Sequence, residues 1–333
     1  MFKMKKVLND PANVVTEMLD GLALASDGAV MRLPGLDALV RSEIADDKVA
    51  LLIGGGSGHE PLFHGLIGPN LADGAAAGGV FAAPAPDLIL EATKAVHRGR
   101  GVLYLYGNYA GDNMNFDIAA EMAEDEGIEV RTVRVWDDVA AAPPDRKEER
   151  RGIAGDVYMI KIAGAAAAKL DSLAAVEAVA VKARENLRSL GVAVRAGSMP
   201  ETGKLTFELP DDEIEIGMGA HGEAGVSRQK LPQADALADQ MMEVLLADMP
   251  LKAGDEIALL FNNLGATTFM EMLIVNRRVR AILADLGVKV HKTDMGAFVT
   301  SQEMAGFSIT LLKLDAELKG YFDAPASCFA FTR

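Results

Sequence analysis

Cysteine is all but absent from this sequence: Cys328 is the single one in 333 residues, which excludes an internal disulfide and any cysteine-cluster metal site. Basic charge is scarce too, with 33 lysines and arginines against 48 acidic residues and a formal charge of −15. That balance argues against nucleic acid or an anionic membrane as the main partner, while leaving room for a local basic patch that binds phosphate. No run of about 18 uninterrupted apolar residues occurs, so no membrane span is expected. The N-terminal "MFKMKKVLNDPANVV" turns polar before any apolar stretch of signal-peptide length, and a soluble cytoplasmic protein is the expectation. Solenoid-length repeats and low-complexity tracts are missing as well.

Apolar residues, by contrast, make up 50% of the chain, enough for one large or two moderate cores, and two domains are expected. Strand-like runs alternate with helical patterns, the mark of α/β architecture with a largely parallel sheet. "DPANVVTEMLDGLALAS" opens with Asp10 as N-cap and Pro11 at the first helical position. Next come strand "KVALLIGGG", helix "PDLILEATKAVH", strand "GVLYLYGN", a helix over "NMNFDIAAEMAEDEG" closed by Gly127, and strand "IEVRTVRVW". Alanine-rich residues 155–169 and 173–189 read as two helices. The turn-rich "SLGVAVRAGSMPETGK" then suits a boundary between domains at residues 1–192 and 193–333. Beyond it lie strand "EIEIGMG", helix "QADALADQMMEVLLADM", strand "DEIALLFNN", a long helix over about residues 267–286, and strands "VKVHK" and "SITLLKL". The charged runs "AEDEG" and "DRKEERR" read most simply as solvated faces.

Three strand-end loops pair glycine with a titratable group. The first, Gly54 to Gly58 followed by His59, Glu60 and Pro61, falls outside the carboxyl end of a strand, where open α/β sheets bind ligands. It is no Walker A loop, since no Gly-Lys-[Ser/Thr] follows, and a plain strand-to-helix turn is its other reading. The second, "YGNYAGDNMNF", carries Asp112, which suits a helix cap as well as chemistry. The third, "EIGMGAHGEAG", sets His221 among glycines and alanines. Either it is a tight turn with His221 merely exposed, or its glycines let a small molecule approach the ring. Its formal Gly217-x-Gly219-x-x-Gly222 fingerprint is set aside, because "EAGVSRQKLP" offers no helix to hold a pyrophosphate. His64, His97 and His291 read as structural.

"GGGSGHEP", "NYAGDNMNF", "GMGAHGEAG", "NNLGAT" and "GFSITLLKLD" together resemble the dihydroxyacetone-binding subunit of dihydroxyacetone kinases, from about Lys5 to the C-terminus. The resemblance implies two α/β domains, each a sheet covered by helices, with the active site at strand-end loops between them. It implies that His221 bonds the carbonyl carbon of a short ketose as a hemiaminal, with glycines clearing room around the ring. Asp112 would then be the general base for the substrate hydroxyl, and His59 would hydrogen-bond and help activate that hydroxyl. Gly55, Gly56, Ser57, Gly58, Phe81, Ala83 and Gly107 would surround the ketose. The chain offers no phosphate loop and no magnesium-carboxylate cluster. No metal or cofactor of its own is therefore expected, and ATP or ADP with Mg2+ should sit on a separate nucleotide-binding subunit. A homodimer is implied as well. Many family members carry lysine at Gly107 and serine at Ala83, and losing both favours ketoses larger than dihydroxyacetone, such as erythrulose or a branched ketopentose. Three readings follow: a phosphotransferase subunit acting on an alcohol group, a non-catalytic ketose sensor or coregulator of the same fold, and a lipid-binding role, which a polar, glycine-lined site disfavours. The presence of His59 and Asp112 favours the first.

Overall fold

The computed structural model describes residues 5–219 and 221–333. They form two units, one of residues 5–135, 156–184 and 317–333, the other of residues 136–155 and 185–316.

The first unit holds strands β1 (Val30–Arg32), β2 (Ala38–Arg41), β3 (Lys48–Ser57), β4 (Gly74–Val80), β5 (Gly99–Gly107) and β6 (Val130–Val135), in the order β1-β2-β4-β3-β5-β6. β4, β3, β5 and β6 run parallel, and β1 and β2 close one edge antiparallel. β3 lies inside the sheet, and Val49 to Ile53 are fully buried, as an unbroken apolar run requires. The helices are α1 (Val14–Ala25), α2 (Pro86–Val96), α3 (Ala110–Asp125), α4 (Asp156–Ala167) and α5 (Leu173–Glu185). α2 packs on β2, β3 and β4, and α4 on β3 and β5. Small residues let α4 bury all of its positions. Tyr106 stacks on Phe116 at 4.2 Å, while the Tyr104 hydroxyl pairs with Thr93 Oγ1 at 2.6 Å, so the core satisfies its polar tips. Asp10 is a cap, as expected, but of a 3-10 turn over Pro11–Asn13 that precedes α1, its Oδ1 accepting from the Ala12 amide at 3.0 Å, while α1 itself starts after Asn13 without a side-chain cap.

The second unit holds β7 (Leu187–Arg195), β8 (Glu213–Ile216), β9 (Ser227–Lys230), β10 (Glu256–Asn263), β11 (Lys289–Gly296) and β12 (Ala305–Leu314), in the order β11-β10-β12-β7-β8-β9. Here the expectation of a parallel sheet fails. Only β10 and β11 are parallel, because β12 inserts antiparallel between β10 and β7. Helices α6 (Ala234–Asp248) and α7 (Phe269–Asp285) pack together, and Met241, Leu245, Val275 and Val279 join Phe261 and Leu311 in one core. α7 starts on a full capping box, Thr268 with Glu271. A last helix, α8 (Ala316–Phe322), leads back into the first unit.

Two further readings change. The helix expected to reach residue 189 stops at Glu185, and Leu187–Arg195 is a buried strand whose hydrogen bonds come from β12 and β8. The charged run near residue 150 is not a solvated face throughout. Arg150, 1% exposed, meets Asp248 through both terminal guanidinium nitrogens, one at 3.0 Å, and Asp248 also takes Arg188.

Candidate functional site

In the first unit β4, β3 and β5 are neighbours running the same way, so their carboxyl ends deliver three loops to one edge of the sheet. β3 ends in Gly55, Gly56 and Ser57, and the Ser57 hydroxyl donates to the Gly78 carbonyl at 2.7 Å, tying that end to β4. A Cβ on Gly56 would lie 2.8 Å from the Ala82 amide nitrogen, so the turn after β4 closes against β3 only over a glycine. Gly58 takes φ +103°, and the chain then presents His59, 5% exposed, with its ring 4.9 Å from that of Phe81. The next residue, Glu60, accepts from the Gly58 amide at 2.8 Å. Its carboxyl is held above the ordinary range because burial outweighs that bond.

β5 ends at the buried Gly107. α3 begins at Ala110 without a side-chain cap on Tyr109, so Asp112 is not the helix cap. It lies in the first turn, half-buried, where a carboxylate meets the positive end of the helix dipole. Burial pushes the Tyr106 hydroxyl up to about 12, and the Asp112 charge adds to that effect. Asn115 Nδ2 donates to the Pro84 carbonyl at 2.8 Å, and a Cβ on Gly111 would sit 3.4 Å from that of Ala83. The loops carrying Phe81, Ala83 and Asp112 are thereby braced against one another, with the His59 ring tilted against that of Phe81.

In the second unit β8 and β9 form an antiparallel hairpin, and His221 lies in the loop joining them. No helix follows the glycines, which disposes of the dinucleotide fingerprint. His221 Nδ1 is 3.1 Å from Glu223 Oε1, and its backbone amide donates to Glu223 Oε2 at 2.9 Å. The Gly219 amide donates to the Glu223 carbonyl at 3.0 Å, closing the turn. Burial by itself would raise the Glu223 carboxyl, but the hydrogen bonds and charge of His221 prevail and hold it at about 2.

The glycines here make room for protein as well as for any ligand. A Cβ on Gly219 would run into the Glu223 carboxylate and come within 2.5 Å of Arg151 Nη1. On Gly225 it would meet the Ile216 carbonyl, and on Gly217 the Ala140 methyl. Arg151 is itself held by Asp138 at 2.7 Å and donates to the Gly217 carbonyl at 3.0 Å. Burial raises the Asp138 carboxyl to about 6 against the pull of that guanidinium. Glu223 and Arg151 were both missed from sequence. The His-x-Glu spacing could have flagged Glu223, whereas Arg151 lies 66 residues from Gly217 and had no local signal. Among the described residues no three histidine, cysteine or acidic side chains gather as a metal site, and no helix is long and apolar enough to cross a membrane.

These features define a mixed α/β protein of two helix-covered sheets, with titratable groups concentrated on glycine-rich strand-end loops. The model of the Dak1 domain matches residues 20–330, and the chain belongs to that family. It is 45% identical over 325 residues, 97% of each chain, to the PTS-dependent dihydroxyacetone kinase 2, dihydroxyacetone-binding subunit, of Listeria innocua serovar 6a. It is 40% identical to a D-erythrulose kinase of Mycolicibacterium smegmatis, across 99% of this chain and 57% of that longer one. A solved dihydroxyacetone kinase operon co-activator superposes with a TM-score of 0.89 at 32% identity, covering 94% of this chain and 97% of its own.

Proposed function

We propose that this chain is the ketose-binding subunit of a dihydroxyacetone-type kinase, holding a short ketose on His221 as a hemiaminal and presenting its terminal hydroxyl for phosphorylation. The observation that carries the reading is His221 itself. It stands at the position of the nucleophilic histidine in the family motif, and its Nδ1 is engaged by Glu223 at 3.1 Å. Asp112 takes the proton of the terminal hydroxyl and His59 hydrogen-bonds that oxygen, since phosphoryl transfer asks for positioning and a base near the attacking group. ATP or ADP with Mg2+ belongs to a separate nucleotide-binding subunit, and two copies of this chain pair as a homodimer. The D-erythrulose kinase among its relatives supports a four-carbon ketose, as do Gly107 and Ala83 where many family members carry lysine and serine.

The test is intact-protein mass spectrometry under gentle ionisation after incubation with dihydroxyacetone or erythrulose. The parent should gain the mass of one ketose and His221→Ala should not; an equal adduct on the variant refutes the assignment. A second reading, a ketose-responsive coregulator, is favoured by the likeness to the operon co-activator. It predicts the same adduct without turnover alongside any nucleotide subunit.

A further inference from the structure

We infer that Glu223 is a positioning residue that fixes the tautomer of His221 and pairs with the cation formed when the ring is alkylated. The inference rests on the hemiaminal reading above and adds a residue to it. Both carboxylate oxygens are committed to one residue, Oε1 to the His221 ring at 3.1 Å and Oε2 to its backbone amide at 2.9 Å, so ring and loop are set by the same group. A carboxylate is an acceptor only, hence the neutral ring carries its proton on Nδ1 and its lone pair on Nε2. Isolated imidazole has no such constraint.

Glu223 is in turn set in its loop. Its backbone carbonyl accepts from the Gly219 amide at 3.0 Å, and its Oε2 lies against the same face of Gly219 as Arg151 Nη1. Arg151 is anchored on Asp138 at 2.7 Å, and Asp138, 1% exposed, also accepts from the Ala140 amide at 3.0 Å. The order Asp138, Arg151, loop, Glu223, His221 is a supporting shell of the kind that holds reactive histidines elsewhere.

The Nε2 lone pair forms the bond to the ketose carbonyl carbon, and the carbonyl π pair moves to oxygen, which takes a proton from solvent. The ring, now substituted on Nε2 and still protonated on Nδ1, is a cation facing the Glu223 carboxylate. Release of ketose reverses each movement. Glu223 therefore acts twice, on the attacking tautomer and on the charge of the adduct.

The experiment uses the full chain with 15N-labelled histidine, its His221 signals assigned by difference from His221→Ala. Without ketose, under conditions where the ring is neutral, the parent should show a protonated-type Nδ1 and an unprotonated-type Nε2, and Glu223→Ala should lose that preference. With erythrulose, adduct formation should slow by about 10- to 100-fold in Glu223→Ala, the scale known for carboxylates that hydrogen-bond metal-bound histidines. Glu223→Gln keeps an acceptor but no charge. With one acceptor oxygen for the two N–H donors that Glu223 serves, it should weaken the tautomer preference, form the adduct at an intermediate rate and hold it less tightly than the parent. A parent ring protonated on Nε2, or a folded Glu223→Ala that matches the parent in tautomer and rate, overturns the inference. Should Glu223→Ala not fold, Glu223→Gln decides: an adduct as stable as the parent's overturns the charge-pairing role. If the parent itself forms no adduct while its ring is protonated on Nδ1, the hemiaminal reading fails and the tautomer control stands.

Discussion

His64 lies five positions beyond His59 in the same connection, is 2% exposed, and neither ring nitrogen has a hydrogen-bond partner among the described residues. It borders a cavity with Leu22, Ile67, Cys328 and Phe329, and none of the residues lining that cavity carries a charge. Burial therefore lowers the imidazole from its ordinary 6.5 to about 4. The unfolded chain takes up this proton as the pH falls through 6.5, whereas the folded chain waits until about 4. The unfolded state thus binds more protons in that window, and stability falls as the medium is acidified. The difference, 6.5 − 4 = 2.5, at 1.36 kcal/mol for each pH unit, sets an upper limit of about 3 kcal/mol below pH 4. At about pH 5 the loss is about 2 kcal/mol.

The assay is urea unfolding of the parent and His64→Leu, each at about pH 7.5 and about pH 5, so that any packing change in the variant cancels within its own pair. The parent should lose about 2 kcal/mol more than the variant on acidification. Equal losses in both proteins would refute the reasoning, showing that the ring reaches a proton without unfolding.

Asp112→Asn should keep the ketose adduct in mass spectrometry yet lose phosphorylation by about 10²- to 10⁴-fold with a competent nucleotide subunit, and near-parental turnover would move the base elsewhere. The parent should show a higher kcat/KM for a four- or five-carbon ketose than for dihydroxyacetone, and Gly107→Lys should shift the ratio back by roughly fivefold for one recovered hydrogen bond. A parental preference for dihydroxyacetone defeats that idea and leaves the covalent chemistry standing. Gly219→Ala should change urea unfolding little, because its Cβ meets only the ends of the Glu223 and Arg151 side chains, but by pushing that carboxylate aside it should weaken the adduct as Glu223→Ala does. A variant as reactive as the parent would show that the loop yields at little cost.

Much of the architecture needed no tertiary information. The buried apolar run of β3, the proline-initiated α2, the periodic α3 and the long α7 are each specified by residues within one short window. So were the three loops, because a titratable group beside glycine just after a strand is itself a local pattern. What the sequence could not determine is whatever depends on a distant neighbour. β4, "GAAAGGV", has no strand propensity worth the name and becomes a strand because β3 and β2 supply its hydrogen bonds on either side. β7 contains Gly191 and is followed by turn residues, so it reads as a connection until β12 and β8 flank it. Arg150 and Arg151 look like solvated charge until partners at residues 248, 138 and 217 draw them inward. The histidine in its glycine loop was visible at once. The His-x-Glu spacing already set Glu223 beside it, but the shell that runs from this loop through Arg151 back to Asp138 emerged only from the fold, because burial and opposite charge act through space and leave no trace in local order.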